Sequence, residues 1–381
     1  MDFDPEERHI TIRQLVREFA EREVFPGAAQ RDQAAEFPQE LIGKMGREGI
    51  TGLLFPKDYH GQGADALSYL IALEELARAD LSVALTVEVS CSLAGLPLLR
   101  LGTEEQKRRW LVPLASGEII GSYALTEATA GSDASRLTTR AVRDDSTWVI
   151  DGAKAFITNA GTPICGFAIV PCITGERGGR QEVSNIIVPT GSAGYTISKP
   201  YNKLGVRASD TRELHFDHCR VPLQNLLGEE GRGLIQFREI LDSARVAVAA
   251  LSVGLAQACL EHSLKRAKER IQFGQPISQF QSIQFRLADM ATNVDLARLA
   301  TYRAGTLMQQ GRPFRKEASI AKLFASEAAV KAAEQAVQIF GAYGFLDDSP
   351  VARFYRDCKL LTVGLGTSEI QRVVIARELG C

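Results

Sequence analysis

From Gly233 onward the chain repeats its apolar residues at helical spacing in four long stretches, about residues 233–270, 279–310, 315–341 and 348–379. That spacing gathers the apolar side chains on one face of each helix. Long one-faced helices joined by short turns bury those faces against one another, so the pattern predicts a four-helix bundle. The first third is helical too. Ile12, Leu15, Val16 and Phe19 precede Pro26, Leu41, Met45 and Ile50 follow, and residues 69–79 and 104–114 add amphipathic helices, the last after a start signal at Thr103.

Between Gly121 and Gly228 the texture changes to short β-rich runs at 147–150, 167–170, 185–188 and 195–197, separated by turn residues such as Asp151-Gly152 and Asn159-Ala160-Gly161. These predict a small antiparallel sheet domain, with residues 174–182 as a mobile polar loop. The expected fold class is α+β, mainly α. It has an N-terminal helical domain at 1–120, a middle antiparallel β domain at 121–229 and a C-terminal four-helix bundle at 230–381.

Composition narrows the function. Lys+Arg 44 against Asp+Glu 46 gives a net charge of −2 with no block of like charge, which argues against nucleic acid or an anionic membrane as a main partner. No run of about 18 apolar residues is expected to span a bilayer. The acidic, polar start is unlike a leader peptide, and seven scattered cysteines without a CxxC pair point to free thiols in a reducing compartment, not to a zinc site. The expected location is cytoplasmic, with no metal.

Several segments carry chemistry. Residues 123–133, YALTEATAGSD, are small enough for backbone amides to approach a ligand, and Thr126 and Ser132 add hydroxyls; a plain β-turn looks similar. Phe156-Ile157-Thr158-Asn159 follows Asp151-Gly152-x-Lys154 and offers a flat ring to a flat ligand, or is simply a strand entering a turn. Arg270 has the planar fork that suits phosphate, or else ends a helix before Gly274. Residues 81–99 hold one charged side chain, Glu88. A lone carboxylate in so apolar a helix is either half-exposed at an edge or buried with a raised pKa.

Taken in order, these segments resemble the motifs of the acyl-CoA dehydrogenases over the whole chain. The resemblance implies FAD, held through Tyr123, Leu125, Thr126, Gly131 and Ser132 over the flavin and through Phe156, Ile157 and Thr158 beside its ring. It departs at Ala128 and Thr129, where Pro and Gly are usual. Arg270, Phe273 and Gln281, with Gln338 and Gly341, are implied to reach the cofactor of a neighbouring subunit, which implies a homotetramer; Thr367 and Glu369 complete the cofactor set. Ser132, Asp242, Arg245 and Gly366 are implied to contact the thioester substrate.

The tract 357–372, DCKLLTVGLGTSEIQR, matches the family signature except at one place. Leu365 stands where a Glu removes the substrate's α-proton, and the second location known for that Glu is Ala244. Leucine cannot accept a proton, but its backbone N–H can still polarise the thioester carbonyl. By register with the family, the helix over 81–99 lines the acyl pocket, so Glu88 and Cys91 are candidate substitute bases; pairing of Glu88 with an Arg is the plainer alternative. Val83-Ala84-Leu85 is apolar where relatives acting on anionic acyl groups place an Arg, which favours a neutral acyl group, branched or cyclic.

The expectation is an FAD-dependent acyl-CoA dehydrogenase-type oxidoreductase of fatty acid metabolism with its base relocated. Its substrate would be an acyl-CoA or acyl-carrier thioester, and its acceptor an electron-transfer flavoprotein or other carrier. Two alternatives stay open: redox-neutral elimination or enoyl-CoA reduction on the same fold, and a non-catalytic subunit of a mixed oligomer.

Overall fold

The computed structural model describes residues 6–381; the first five residues of the acidic start lie outside them. Asp65 begins the Ala66–Ala79 helix by accepting from the Ser68 amide at 2.8 Å. Asp80 accepts from the Ser82 amide at 2.9 Å and begins the next helix, Leu81–Glu88. That helix continues through a widened, π-helical turn at Val89–Gly95 into Leu96–Leu101, where Pro97 can be tolerated because it stands near the start of the new segment. Every residue from 81 to 95 is buried.

Two helices, Leu81–Leu101 and Gly233–Glu269, are in fact long and apolar enough to cross a membrane, contrary to the expectation from the sequence. In each, 89% of the apolar window is buried inside the protein, as in a core helix.

The sheet has eight strands: β1 (Ile120–Tyr123), β2 (Arg140–Asp144), β3 (Thr147–Thr158), β4 (Cys165–Arg177), β5 (Arg180–Pro189), β6 (Tyr195–Ile197), β7 (Thr211–Pro222) and β8 (Leu226–Leu227). Their order is β6-β7-β3-β2-β4-β5-β8, with β1 added on β4. It is mixed and not purely antiparallel, because β1 and β2 both run parallel to β4. Residues 174–182 are no mobile loop. The β4–β5 ladder continues to Arg177↔Arg180, and the Thr174 and Ser184 hydroxyls bond across it at 2.6 Å. Only Gly178 and Gly179 turn, both at positive φ, a pair that twists the hairpin the way its strands already twist. Strand β7 escapes sequence reading because it is rich in charge, yet Leu214, Phe216, Cys219 and Val221 are its buried residues.

The C-terminal domain begins with Gly233–Glu269, followed by Gln281–Gln309 and Arg315–Phe340. Buried alanines line Arg315–Phe340, among them Ala318, Ala325, Ala329 and Ala336. The expected fourth helix is broken into Pro350–Val363 and Ser368–Glu378, so the domain has five helices. The N-terminal domain and the bundle share one apolar core. Buried Glu74 fastens them further, accepting from Arg298 at 2.9 Å and from the Tyr302 hydroxyl at 2.6 Å. All seven cysteines are free, six of them buried.

Candidate active site

The break in the last helix is the site's first wall. Leu365 and Gly366 adopt φ of +54° and +89°. A left-handed leucine costs roughly 1–2 kcal/mol, and such strain persists only where the surroundings over-determine it. Here the Gly366 carbonyl accepts from Lys322 Nζ at 2.8 Å and from Gln371 Nε2 at 2.9 Å. The Thr367 hydroxyl accepts from the Ile370 amide at 3.3 Å and caps Ser368–Glu378, which leaves its O–H to donate elsewhere. Glu369, in the first turn, is exposed and held below its ordinary pKa chiefly by the backbone N–H at the helix start.

Arg245 lies close enough to Lys322 to help burial lower that lysine's pKa to about 8. Arg245 and Asp242 are both buried and pair at 2.5 Å, leaving Arg245 Nε without a partner. The two residues expected to hold substrate are therefore preformed as an ion pair. Leu365, Leu125, Ala244 and Val87 all belong to one apolar cluster.

The second wall is built on β3. Lys154 is buried, and its ammonium bonds Glu127 Oε1 at 2.9 Å, the Pro171 carbonyl at 2.8 Å and the Leu125 carbonyl at 3.3 Å. Glu127 also accepts from the Thr138 amide at 2.7 Å and the Thr139 amide at 3.0 Å. Burial opposes its ionisation, but these bonds and Lys154 outweigh it and hold the carboxyl at about 2. The pair anchors the roots of the loop that carries Thr126, Gly131 and Ser132, while Gly131 and Ser132 themselves face solvent.

A bulge in β3 follows Lys154 and turns Phe156 outward at φ +59°, 64% exposed, with one ring face stacked on Tyr201 at 5.0 Å. Ile157 is buried and Thr158 half-buried. An exposed aromatic ring beside a small-residue loop with open amides fits a flavin ring. Tyr123 does not present its side chain there: its ring stacks on Phe237 at 4.1 Å and its hydroxyl bonds Asn185 at 3.2 Å, which leaves only its backbone for a cofactor.

Asn159 joins this wall to the helix of Glu88, donating to the Thr86 carbonyl at 3.1 Å and the Gly121 carbonyl at 3.3 Å. Glu88 is 0% exposed, and neither carboxylate oxygen has a hydrogen-bond partner. Among the described residues no Arg or Lys pairs with it, so the plainer reading from sequence fails. Burial pushes its carboxyl up to about 8, opposed only by nearby Ser92. Cys91 is different. Its thiol donates to the Thr51 carbonyl at 3.2 Å, and burial, with Glu88 adding, pushes its pKa well up. A protonated thiol donating to a carbonyl is placed as a donor and not as a proton acceptor, so the geometry favours Glu88 over Cys91.

The remaining residues lie elsewhere. Arg270 and Phe273 occupy the connection between Gly233–Glu269 and Gln281–Gln309, and Gln281 opens the latter helix, with Phe273 93% exposed. Gln338 and Gly341 end the Arg315–Phe340 helix at the same end of the bundle, where Arg266 lies over the rings of Phe340 and Tyr343. Roughly 37 Å of helix separates Arg245 from Arg270 at about 1.5 Å per residue. One subunit does not bring these residues to the Phe156 and Leu365 walls.

Lys322, Gln371, Asn159 and the Glu127–Lys154 pairing were not assigned roles from the sequence. A usable signal existed for Lys322: it repeats at helical spacing with Ala318, Ala325 and Ala329, a lysine on an apolar face.

Family models agree with this layout. The acyl-CoA dehydrogenase N-terminal domain matches residues 6–118, the middle domain 122–219 and the C-terminal domain 231–380. The chain belongs to the acyl-CoA dehydrogenase family. It is 48% identical over 380 residues to the probable acyl-CoA dehydrogenase YngJ of Bacillus subtilis, covering 100% of both chains. Butyryl-CoA dehydrogenase from Megasphaera elsdenii superposes with a TM-score of 0.97 at 39% identity, covering 100% of each. A chain in the structure of the electron transferring flavoprotein of Acidaminococcus fermentans gives 0.96 at 40% identity, covering 100% of this chain and 99% of that one. This acyl-CoA dehydrogenase is accordingly a flavin oxidoreductase acting on CH–CH donors, with FAD as cofactor and acyl-CoA as substrate class.

Proposed function

We propose that the protein oxidises a neutral, branched or cyclic acyl-CoA between Cα and Cβ, with Glu88 taking the proton that position 365 no longer can. FAD, when bound, supplies the acceptor for the β-hydride. The observation that carries this reading is the Glu88 carboxylate, buried without a partner and pushed up to about 8 by burial. An unpaired buried carboxyl is costly to maintain, and a pKa near neutrality suits a general base. Losing a positioned base altogether costs commonly about 10²–10⁴-fold.

The other residues act by holding. Leu365 keeps its N–H for the thioester carbonyl, and the Asp242–Arg245 pair stands ready for the polar arm of the thioester. Val83, Ala84 and Leu85 are buried and apolar, and Glu88, the one charge on their helix, would repel a distal carboxylate. The separation of Arg270, Gln281 and Gln338 from the Phe156 wall supports cofactor sites completed by a second subunit, in a homotetramer. An electron-transfer flavoprotein is the proposed acceptor.

The test is an anaerobic panel of straight, branched and cyclic acyl-CoAs against the FAD-loaded protein, with loss of flavin absorbance as readout. Glu88→Gln should abolish bleaching by whichever thioester works; unchanged bleaching would remove Glu88. The aliphatic side chain at Leu365 favours a second reading, redox-neutral elimination or enoyl-CoA reduction. Turnover without any electron acceptor would select the elimination. Bleaching by the homogeneous protein alone would exclude a non-catalytic subunit.

A further inference from the structure

Lys322 is a buried cation without a counter-ion. It lies on the apolar face of Arg315–Phe340 in register with Ala318 and Ala325, its side chain out of reach of solvent, and among the described residues no carboxylate forms an ion pair with it. Glu369 and Glu327 are near enough to favour its charge, and Arg245 opposes it. Removing an ammonium from water costs several kcal/mol, so a lysine here must be used. Among the described residues its hydrogen-bond partner is the Gly366 carbonyl, at 2.8 Å.

That carbonyl is held twice, from two different helices. Gln371 Nε2 donates to it at 2.9 Å from Ser368–Glu378 and reaches the Leu365 carbonyl at 3.4 Å. The clamped peptide directly follows the left-handed pair Leu365 and Gly366, at +54° and +89°. A hydrogen bond from a charged donor is among the stronger ones in a protein and offsets the strain of a left-handed leucine. A Cβ on Gly366 would come within 2.8 Å of Gln371 Nε2, so the turn and its clamp fit one another closely.

We propose that Lys322 is a positioning residue: by clamping the Gly366 carbonyl it fixes the turn that aims the Leu365 N–H at the thioester carbonyl. The proposal rests on the functional reading above in which that N–H polarises the substrate. The bond of Lys322 is to the backbone of the turn, and in this role it acts through that backbone. A donor misplaced by about 1 Å can cost on the order of 10²-fold in rate.

Two readouts on FAD-loaded Lys322→Met separate the clamp from the chemistry. Amide hydrogen exchange over residues 364–371, whose bonded amides are those of Gly364, Ile370 and Gln371 around the turn, followed by mass spectrometry without substrate, should quicken at least tenfold (~10-fold per 1.4 kcal/mol of lost local stability). A cinnamoyl-CoA chromophore, whose absorbance moves to the red when its carbonyl is polarised, should lose most of its shift while binding within about threefold of the parent. Lys322→Gln, too short to reach Gly366, should behave alike and decides the matter if the Met variant does not fold. Unchanged exchange in a folded variant would overturn the clamp. Faster exchange, with no red shift in the parent protein, would instead overturn the role of the Leu365 N–H and the proposal with it.

Discussion

The Lys154 ammonium lies 2.9 Å from Glu127 Oε1, and the two buried side chains tie the loop bearing Thr126 and Ser132 to β3. Three acceptors surround the ammonium, and three donors besides Lys154 surround the carboxylate. The loop proposed to meet the cofactor is therefore held at its roots and open at its tip.

Glu127→Gln should be severely destabilising. It strands Lys154 as a buried charge, a change that costs about 3–5 kcal/mol. The Glu127 carboxyl, held at about 2, lies below its unfolded value near 4.5. Its contribution is present above the unfolded value and is lost as pH falls through the folded one. Thermal melts between pH 5 and 2 should thus show a melting temperature that falls steeply in the parent and less in the variant, which should also lose FAD on gel filtration.

Cys91→Ala should leave flavin bleaching by an active thioester within about twofold of the parent, since the thiol is a donor to Thr51 and no base. A rate loss of tenfold or more, with the melting temperature little changed, would return Cys91 to the chemistry.

Thr367→Ala removes the helix cap and should lower stability by about 1 kcal/mol, read as a shift in denaturant midpoint. FAD affinity should change little. A large loss of FAD with unchanged stability would show that the hydroxyl serves the cofactor directly.

What the sequence disclosed follows from what is locally encoded. Helical spacing gave the helices of both outer domains, and turn residues marked β3, β4, β5 and β6, half of the sheet's eight strands. The break at Gly364–Thr367 carried a local signal that the reading passed over: Gly364 and Gly366 interrupt the helix and Thr367 caps the next one, with Leu365 and Gly366 left-handed between them. Strands β2 and β7 were hidden by their charged outward faces, and the parallel pairing of β1 with β4 is a long-range choice that no local residue dictates. In the site, Glu88 stood out as the lone charge in an apolar helix, and the structure adds that no cation answers it. Lys322 and Gln371 act on a backbone carbonyl from distant positions in the chain, so their joint role needed the fold.

Leu365→Glu restores a carboxylate beside the retained N–H. It should raise bleaching by straight-chain butyryl-CoA at least about 10²-fold over the parent. No gain, with butyryl-CoA still bound, would mean that the turn no longer faces the reacting carbon.

The pH dependence of anaerobic flavin bleaching tests the central claim most directly, measured on the parent protein and on Glu88→Gln with the same acyl-CoA. Only the ionised carboxylate accepts a proton, so the parent rate should climb with pH and level off above an apparent pKa of about 8. Glu88→Gln should show a rate lower by at least about 10²-fold and no such rise. A variant that bleaches at the parent rate, or with the same pH profile, would contradict the account.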